Sequence, residues 1–189
     1  MSSTLFIKNM VCGRCIKAVR SDLESLGYNI KSISLGEAVL VEEIPKDGYT
    51  KIKEILENDG FELLEDKRAK IIEQIKVAVI NRIHYETLPD DSNFSSYLEK
   101  SLSLDYNYLS TLFSSTENIT IEHYIISQKI ERAKELLKYG ELTLSEIAYQ
   151  LGYKSVQHLS SQFRQITGFT ASKFRNLTDN KRKSLDKVL

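Results

Sequence analysis

Two rhythms of apolar and polar residues run along the chain, and they change near residue 66. The first stretch alternates short runs with short stripes. Leu5-Phe6-Ile7 is a compact apolar run. Ile16, Val19, Leu23 and Leu26 then recur three and four positions apart, which predicts an amphipathic helix with Gly27 as its stop. Residues 29–35 place Ile33 and Leu35 on one face in period two, a strand signal. Gly36-Glu37 predicts a turn and residues 38–41 a second strand. Tyr49, Ile52, Ile55 and Leu56 form another helical stripe, closed by Asp59-Gly60, and residues 61–64 a last short strand. The predicted order is βαββαβ.

After Lys67 the strand signals stop. Ile71, Ile72, Ile75, Val79 and Ile83 predict a helix, and the polar residues 85–93 a loop. Helices are then predicted at about 94–102, 106–116, 121–139, 144–151, 156–167 and 171–177. Thr143-Leu-Ser-Glu146 has the spacing of a capping box. The long helix 121–139 carries its stripe at Ile126, Ile130, Ala133 and Leu137 and stops at Gly140. Leu159, Phe163 and Ile166 are the expected buried stripe of the helix over 156–167. Two segments repeat 50 residues apart: Leu109-Ser110 with Leu159-Ser160, Phe113 with Phe163, Asn118 with Gly168, and Thr120 with Thr170. Each copy is a short helix, a tight turn and a second helix. The fold class is therefore α+β: a ferredoxin-like domain over 1–66, then an all-α domain over 67–178 with two helix-turn-helix units joined by a long helix, then a basic tail over 179–189.

Composition changes the picture in one respect. The 26 basic and 26 acidic side chains cancel over the whole chain but are unevenly placed. Residues 1–66 carry 8 basic and 12 acidic groups, whereas residues 151–189 carry 8 basic and 2 acidic. Charge segregated in this way points to a polyanionic partner at one end. No apolar stretch reaches the roughly 18–20 residues of a membrane span. The start carries no secretory pattern, and two cysteines make no disulfide framework, so a cytoplasmic location is expected.

The residues of the second half carry a resemblance. Ile130-Glu-Arg-Ala-Lys-Glu-Leu-Leu, Leu144-Ser-Glu-Ile-Ala-Tyr-Gln-Leu-Gly-Tyr153, Ser155-Val-Gln-His-Leu-Ser-Ser-Gln-Phe-Arg164 and Thr167-Gly-Phe-Thr-Ala-Ser-Lys-Phe-Arg175 closely resemble the DNA-binding domain of AraC/XylS transcription regulators, over roughly 70–178. Ala171 stands where that family usually has Pro. The resemblance implies a bacterial regulator bound to double-stranded DNA, with RNA polymerase as a further candidate partner. It implies two units reading successive major grooves one helical turn apart. Its oligomeric state, monomer or dimer, is left open.

In the second unit Gln157, His158, Ser161, Gln162 and Arg164 are left for solvent or DNA. Gln suits adenine, and Arg suits guanine or phosphate. Ser155 can cap this helix, Lys154 flanks it, and Lys173 and Arg175 are candidate phosphate contacts. In the first unit the candidates are Asn107, Tyr108, Thr111, Ser114 and Ser115, with no Lys or Arg from Asp105 to Thr116. Without a cation this unit lacks counterion release, so most affinity is expected from the second. His84 and His123 are expected to be ordinary structural or surface residues, and the tyrosines Tyr97, Tyr124, Tyr149 and Tyr153 to be core. The tail cations Lys181, Arg182, Lys183 and Lys187 form a further basic patch.

Met10-Val-Cys12-Gly-Arg-Cys15 lies between the first strand and the first helix. Two thiolates three apart at a helix start can converge on one soft cation. With the βαββαβ order and the Asp-Gly-Phe61 ending, residues 3–65 resemble the heavy-metal-associated domain of copper chaperones and copper-pumping ATPases. The resemblance implies Cu(I), with Zn or Ag(I) as lesser candidates, at Cys12 and Cys15 with Met10 nearby. Asn9 departs from the usual Gly, Val11 from Thr or Ser, and Arg14 lies between the cysteines. Thiol redox sensing, or a domain turned to an organic ligand or protein partner, are the alternatives. A metal carrier with a protein-docking helical half is the alternative of another class. The chain shows no nucleophile–base constellation, so an enzyme is not expected.

Overall fold

The computed structural model describes residues 2–85, 93–177 and 183–188. It divides into two compact units, Met1–Val77 and Ala78–Leu189. In the first, strands β1 (Ser3–Lys8), β2 (Ile30–Ser34), β3 (Glu37–Leu40) and β4 (Glu62–Leu64) alternate with helices α1 (Gly13–Ser25) and α2 (Lys46–Asn58) in the order βαββαβ. The strands form one antiparallel sheet in the order β2-β3-β1-β4. Period two decides its faces. Leu5 and Ile7 of β1, Ala38 and Leu40 of β3 and Leu63 of β4 all enter one core with Val19 and Leu23 of α1 and Ile52 and Leu56 of α2.

Asn9 has φ +72°, a left-handed conformation that favours Gly and that Asn tolerates. Its side-chain amide donates to the Gly60 carbonyl at 3.0 Å. The departure from Gly at this position therefore keeps the turn. Helix α3 (Lys67–Ile80) is capped by Asp66, whose carboxylate accepts from the N–H groups of Arg68 and Ala69. Its first turns stay with this unit: Lys70 lies over the Phe6 ring, and Glu73 accepts from the Asn9 N–H. A five-residue π turn, Asn81–Tyr85, follows α3. Of the expected 85–93 loop, residues 86–92 lie outside the described residues.

The second unit is helical: α4 (Phe94–Leu102), α5 (Tyr106–Glu117), α6 (Ile121–Tyr139), α7 (Leu144–Gln150), α8 (Val156–Thr167) and α9 (Ala171–Arg175). Each start is fixed by a side-chain cap. Asn93, Asp105, Thr120, Thr143, Ser155 and Thr170 each accept a backbone N–H three residues on, and Thr143 with Glu146 completes a capping box.

The 50-residue repeat is visible in three dimensions. Leu109 and Leu159 are fully buried, as are Phe113 and Phe163. Asn118 and Gly168 end their helices with positive φ. The Phe113–Tyr124 ring pair is matched 50 residues later by Phe163–Phe174, at 5.6 and 5.4 Å between centroids. The start of α6 thus packs in the first copy as α9 does in the second.

Four expectations are corrected. Tyr49, expected in the apolar stripe of α2, is 40% exposed, and the buried face is set by Ile52 and Leu56. Tyr149 is not core: it is 75% exposed. On α7 the buried face is set by Ile147, Ala148 and Leu151, and residue 149 falls on the opposite side. The stripe of α8 closes at Phe163, because Ile166 in the last turn is 40% exposed. Helix α6 is buried on more than the single stripe predicted. Gln128, Glu131 and Lys134 are also buried, and Ile126 only partly.

These polar groups are paired. Gln128 donates to the Tyr124 hydroxyl at 3.0 Å and the Leu185 carbonyl at 3.2 Å, while its own oxygen meets His84 Nε2 at 3.1 Å. Glu131 pairs with Lys134 and accepts from the Lys183 N–H. The end of the basic tail is thereby tied to α6, and Val188 is buried. Lys181 and Arg182 lie outside the described residues.

Candidate nucleic-acid interface

Helix α8 sorts its residues by face. Leu159 and Phe163 point into the core with Phe174 of α9 and Ile147 and Leu151 of α7. Gln157, His158, Ser161, Arg164 and Gln165 are exposed, and Lys154 and Ser155 are exposed just before the helix. The Ser155 hydroxyl accepts from the His158 N–H at 3.2 Å. The His158 ring stands edge-on to Tyr153 at 5.4 Å, so its position is braced by the turn between α7 and α8. Gln162 is different: it is half-buried, and its amide oxygen is enclosed without a hydrogen-bond partner among the described residues. Of the cations placed after the helix, Lys173 is exposed above the Phe169 ring. The Arg175 guanidinium donates to the Leu142 carbonyl at 2.7 Å. Part of its hydrogen-bonding capacity therefore holds the α6–α7 connection.

An open groove of about 680 Å³ is lined by Ser160, Ser161, Arg164 and Gln165 of α8, by Thr170, Ala171 and Ser172 at the start of α9, and by Leu144 of α7. Sequence reasoning singled out Arg164 and Ser161 but missed the α9 hydroxyls. Thr170 caps α9 and Ser172 lies in its first turn, ahead of the Lys173 cation to which the charge pattern drew attention.

Helix α5 exposes Asn107, Tyr108, Thr111 and Ser115, and Ser114 is half-buried. Several of its hydroxyls bond back to carbonyls of their own helix. Ser114 donates to the Ser110 carbonyl at 2.8 Å and Ser115 to the Leu112 carbonyl at 2.9 Å. Carboxylates surround the helix start. Glu99 accepts from the Tyr106 N–H and Asp105 from the Tyr108 N–H. The Tyr106 hydroxyl donates to Glu122 at 2.5 Å. That bond holds the Glu122 carboxyl below its ordinary range, while burial and the carboxylate push the Tyr106 hydroxyl up.

The sulfurs of Cys12 and Cys15 lie 3.4 Å apart at the start of α1, both half-buried. Burial raises both thiols. At Cys12 it is outweighed by hydrogen bonds from Cys15 and the Arg14 backbone and by the Arg14 charge, so the net shift is downward. At Cys15 burial and the neighbouring sulfur leave the net shift upward. Met10 is fully buried within the apolar core. No helix among the described residues is long and apolar enough to cross a membrane.

Residues 98–177 match the family described as a helix-turn-helix domain. Over 184 residues the chain is 24% identical to the Msm operon regulatory protein of Streptococcus mutans, covering 94% of this chain and 62% of that one. It is 29% identical over 120 residues to the uncharacterized HTH-type transcriptional regulator YijO of Escherichia coli, 60% of this chain and 42% of that one. It is 27% identical over 144 residues to the HTH-type transcriptional activator RhaR of Salmonella dublin, 65% of this chain and 51% of that one. The chain thus spans less than two thirds of the length of each. Among solved structures, the C-terminal domain of AraT, a response regulator from Geobacillus stearothermophilus, matches with a TM-score of 0.50 at 21% identity, over 63% of this chain and 95% of that one. That likeness bears on the fold alone. The named relatives are transcription regulators, which are not enzymes.

Proposed function

We propose that this chain is a sequence-specific, DNA-binding transcription regulator of AraC type, with double-stranded DNA as its partner. The observation that carries the reading is the exposed face of α8: an amide, a hydroxyl and a guanidinium at Gln157, Ser161 and Arg164, opposite a buried Leu159–Phe163 stripe. Such a face offers paired donors and acceptors to base edges in a major groove. The helix-turn-helix match over residues 98–177 supports the same reading. The test is selection of binding sites from random duplex DNA with the full chain. An enriched motif is expected, and Gln157→Ala should relax it at one position by about 1–3 kcal/mol. A chain that enriches no motif would overturn the reading.

We propose further that the N-terminal unit is a ferredoxin-like effector domain whose Cys12–Cys15 pair receives a soft cation, Cu(I) before Ag(I) or Zn. The βαββαβ order and the β2-β3-β1-β4 sheet support this domain type. Two sulfurs 3.4 Å apart form the donor pair. No group of three or more His, Cys, Asp or Glu side chains converges among the described residues. A two-sulfur set suits a soft ion of low coordination better than Zn, which takes four ligands.

A further inference from the structure

We infer that the groove between α8 and α9 seats one phosphodiester of the DNA strand flanking the bases read by α8, and that the matching groove of the first unit seats none. The inference rests on the DNA-binding reading above and adds which backbone contact is made and on which side. The Arg164 side chain is exposed, and its guanidinium has no ion-pair or hydrogen-bond partner among the described residues. Ser161 stands one helical turn before it, and Thr170 and Ser172 face it across the groove. A diester carries one negative charge and only acceptor oxygens. An unpaired guanidinium flanked by hydroxyl donors is the complementary set.

The internal repeat provides a control within the same molecule. Fifty residues earlier, the places of Ser161, Arg164, Thr170 and Ser172 are taken by Thr111, Ser114, Thr120 and Glu122. The cation is gone, and the Ser114 hydroxyl is committed to its own helix. A carboxylate replaces the Ser172 hydroxyl and is bridged to α5 by Tyr106. Glu99 and Asp105 add two more carboxylates at the start of α5. A phosphate brought to this face meets the Glu122 carboxylate and, from Asp105 to Thr116, no cation. At corresponding positions the second unit thus carries a guanidinium and a hydroxyl where the first carries a hydroxyl and a carboxylate.

The experiment uses the full chain on its selected operator, with single phosphates replaced in turn by neutral methylphosphonate. One replacement flanking the α8 half-site should weaken binding about tenfold. The same replacement should change nothing for Ser172→Glu or Arg164→Gln, each already weakened by a similar factor. For both variants the slope of log affinity against log salt should fall by about one. Having two variants guards against one that fails to fold, and thermal melts identify it. Conversely, Ser114→Arg with Glu122→Ser should raise affinity, steepen the slope by about one and create a new sensitive phosphate in the other half-site. Equally sensitive phosphates in both half-sites of the wild type would overturn the inference and leave the DNA-binding reading standing. So would insensitivity to both Arg164→Gln and Ser172→Glu. Inorganic phosphate that displaces DNA from the wild type but not from Arg164→Gln, at constant ionic strength, would instead make the groove a free-anion site. A chain that selects no sequence at all would overturn the DNA-binding reading itself.

Discussion

At Cys12 opposing forces act on one thiol. Burial favours the neutral form, while the Cys15 N–H and thiol and the neighbouring Arg14 favour the thiolate and prevail. Cys15, the more deeply placed of the two, is pushed the other way. The pair therefore holds one thiolate more readily than two. Cys12 is expected to alkylate faster than Cys15 with iodoacetamide at neutral pH, because the thiolate is the nucleophile. Peptide mapping after a short pulse reads the order, and preferential labelling of Cys15 would contradict the assignment. The residue scale was partly legible beforehand. A Cys-x-x-Cys at a helix start could be read as a converging pair. The burial of Met10 could not, because only the closed core shows that its side chain is enclosed in the same apolar cluster as Leu5, Ile7 and Val19.

Helix α6 is the element where sequence and structure differ most. One apolar stripe predicted a helix covered on one side, yet α6 is packed on several. Lys129 lies on it between the rings of Phe94 and Tyr153, 5.5 and 5.1 Å from their centroids. Burial, aided by the charge of Arg82, pushes its amine down to about 8. The ordinary lysine value is near 10.4, so between these limits the unfolded chain binds more protons than the folded one. Folding stability contributed by this site therefore rises with pH through that window and is lowest below about pH 8. The stability of the wild type relative to Lys129→Met should accordingly increase between pH 7 and pH 9 in urea unfolding. A difference that stays constant would show that Lys129 titrates as it does in the unfolded chain. Sequence periodicity could not find this site, because a lysine in a helical pattern is normally assigned to solvent. Only the convergence of α4 and the α7–α8 turn on α6 encloses it.

For the whole molecule, the proposed effector at Cys12 and Cys15 can regulate DNA binding only if it has different affinities for two states of the chain. The coupling is then reciprocal. A Cu(I) equivalent bound by the wild type and lost in Cys12→Ser/Cys15→Ser should change operator affinity by at least about fivefold. Operator DNA should change Cu(I) affinity by the same factor. Competition against a chromogenic chelator, with and without DNA, measures both arms. Binding no tighter than in the double variant would remove the metal from the proposal and leave the proposed DNA binding untouched.

The sequence by itself determined the order of strands and helices, the two helix-turn-helix copies, the caps at Thr143 and Ser155 and the apolar face of α1. These follow from local rules: period two or 3.6, a capping side chain, and a residue that tolerates positive φ. It also separated the cation-bearing α8 from the cation-free α5, since charge is written residue by residue. Tertiary structure decided what depends on distant segments meeting. It exposed Tyr149 and Ile166, enclosed Lys129, and tied residues 183–188 to Gln128 and Glu131. It set Ser172 across a groove from Arg164 and Glu122 against Tyr106. Burial and electrostatics are properties of the space around a side chain. That space is set by whichever helices pack there, which local pattern does not encode.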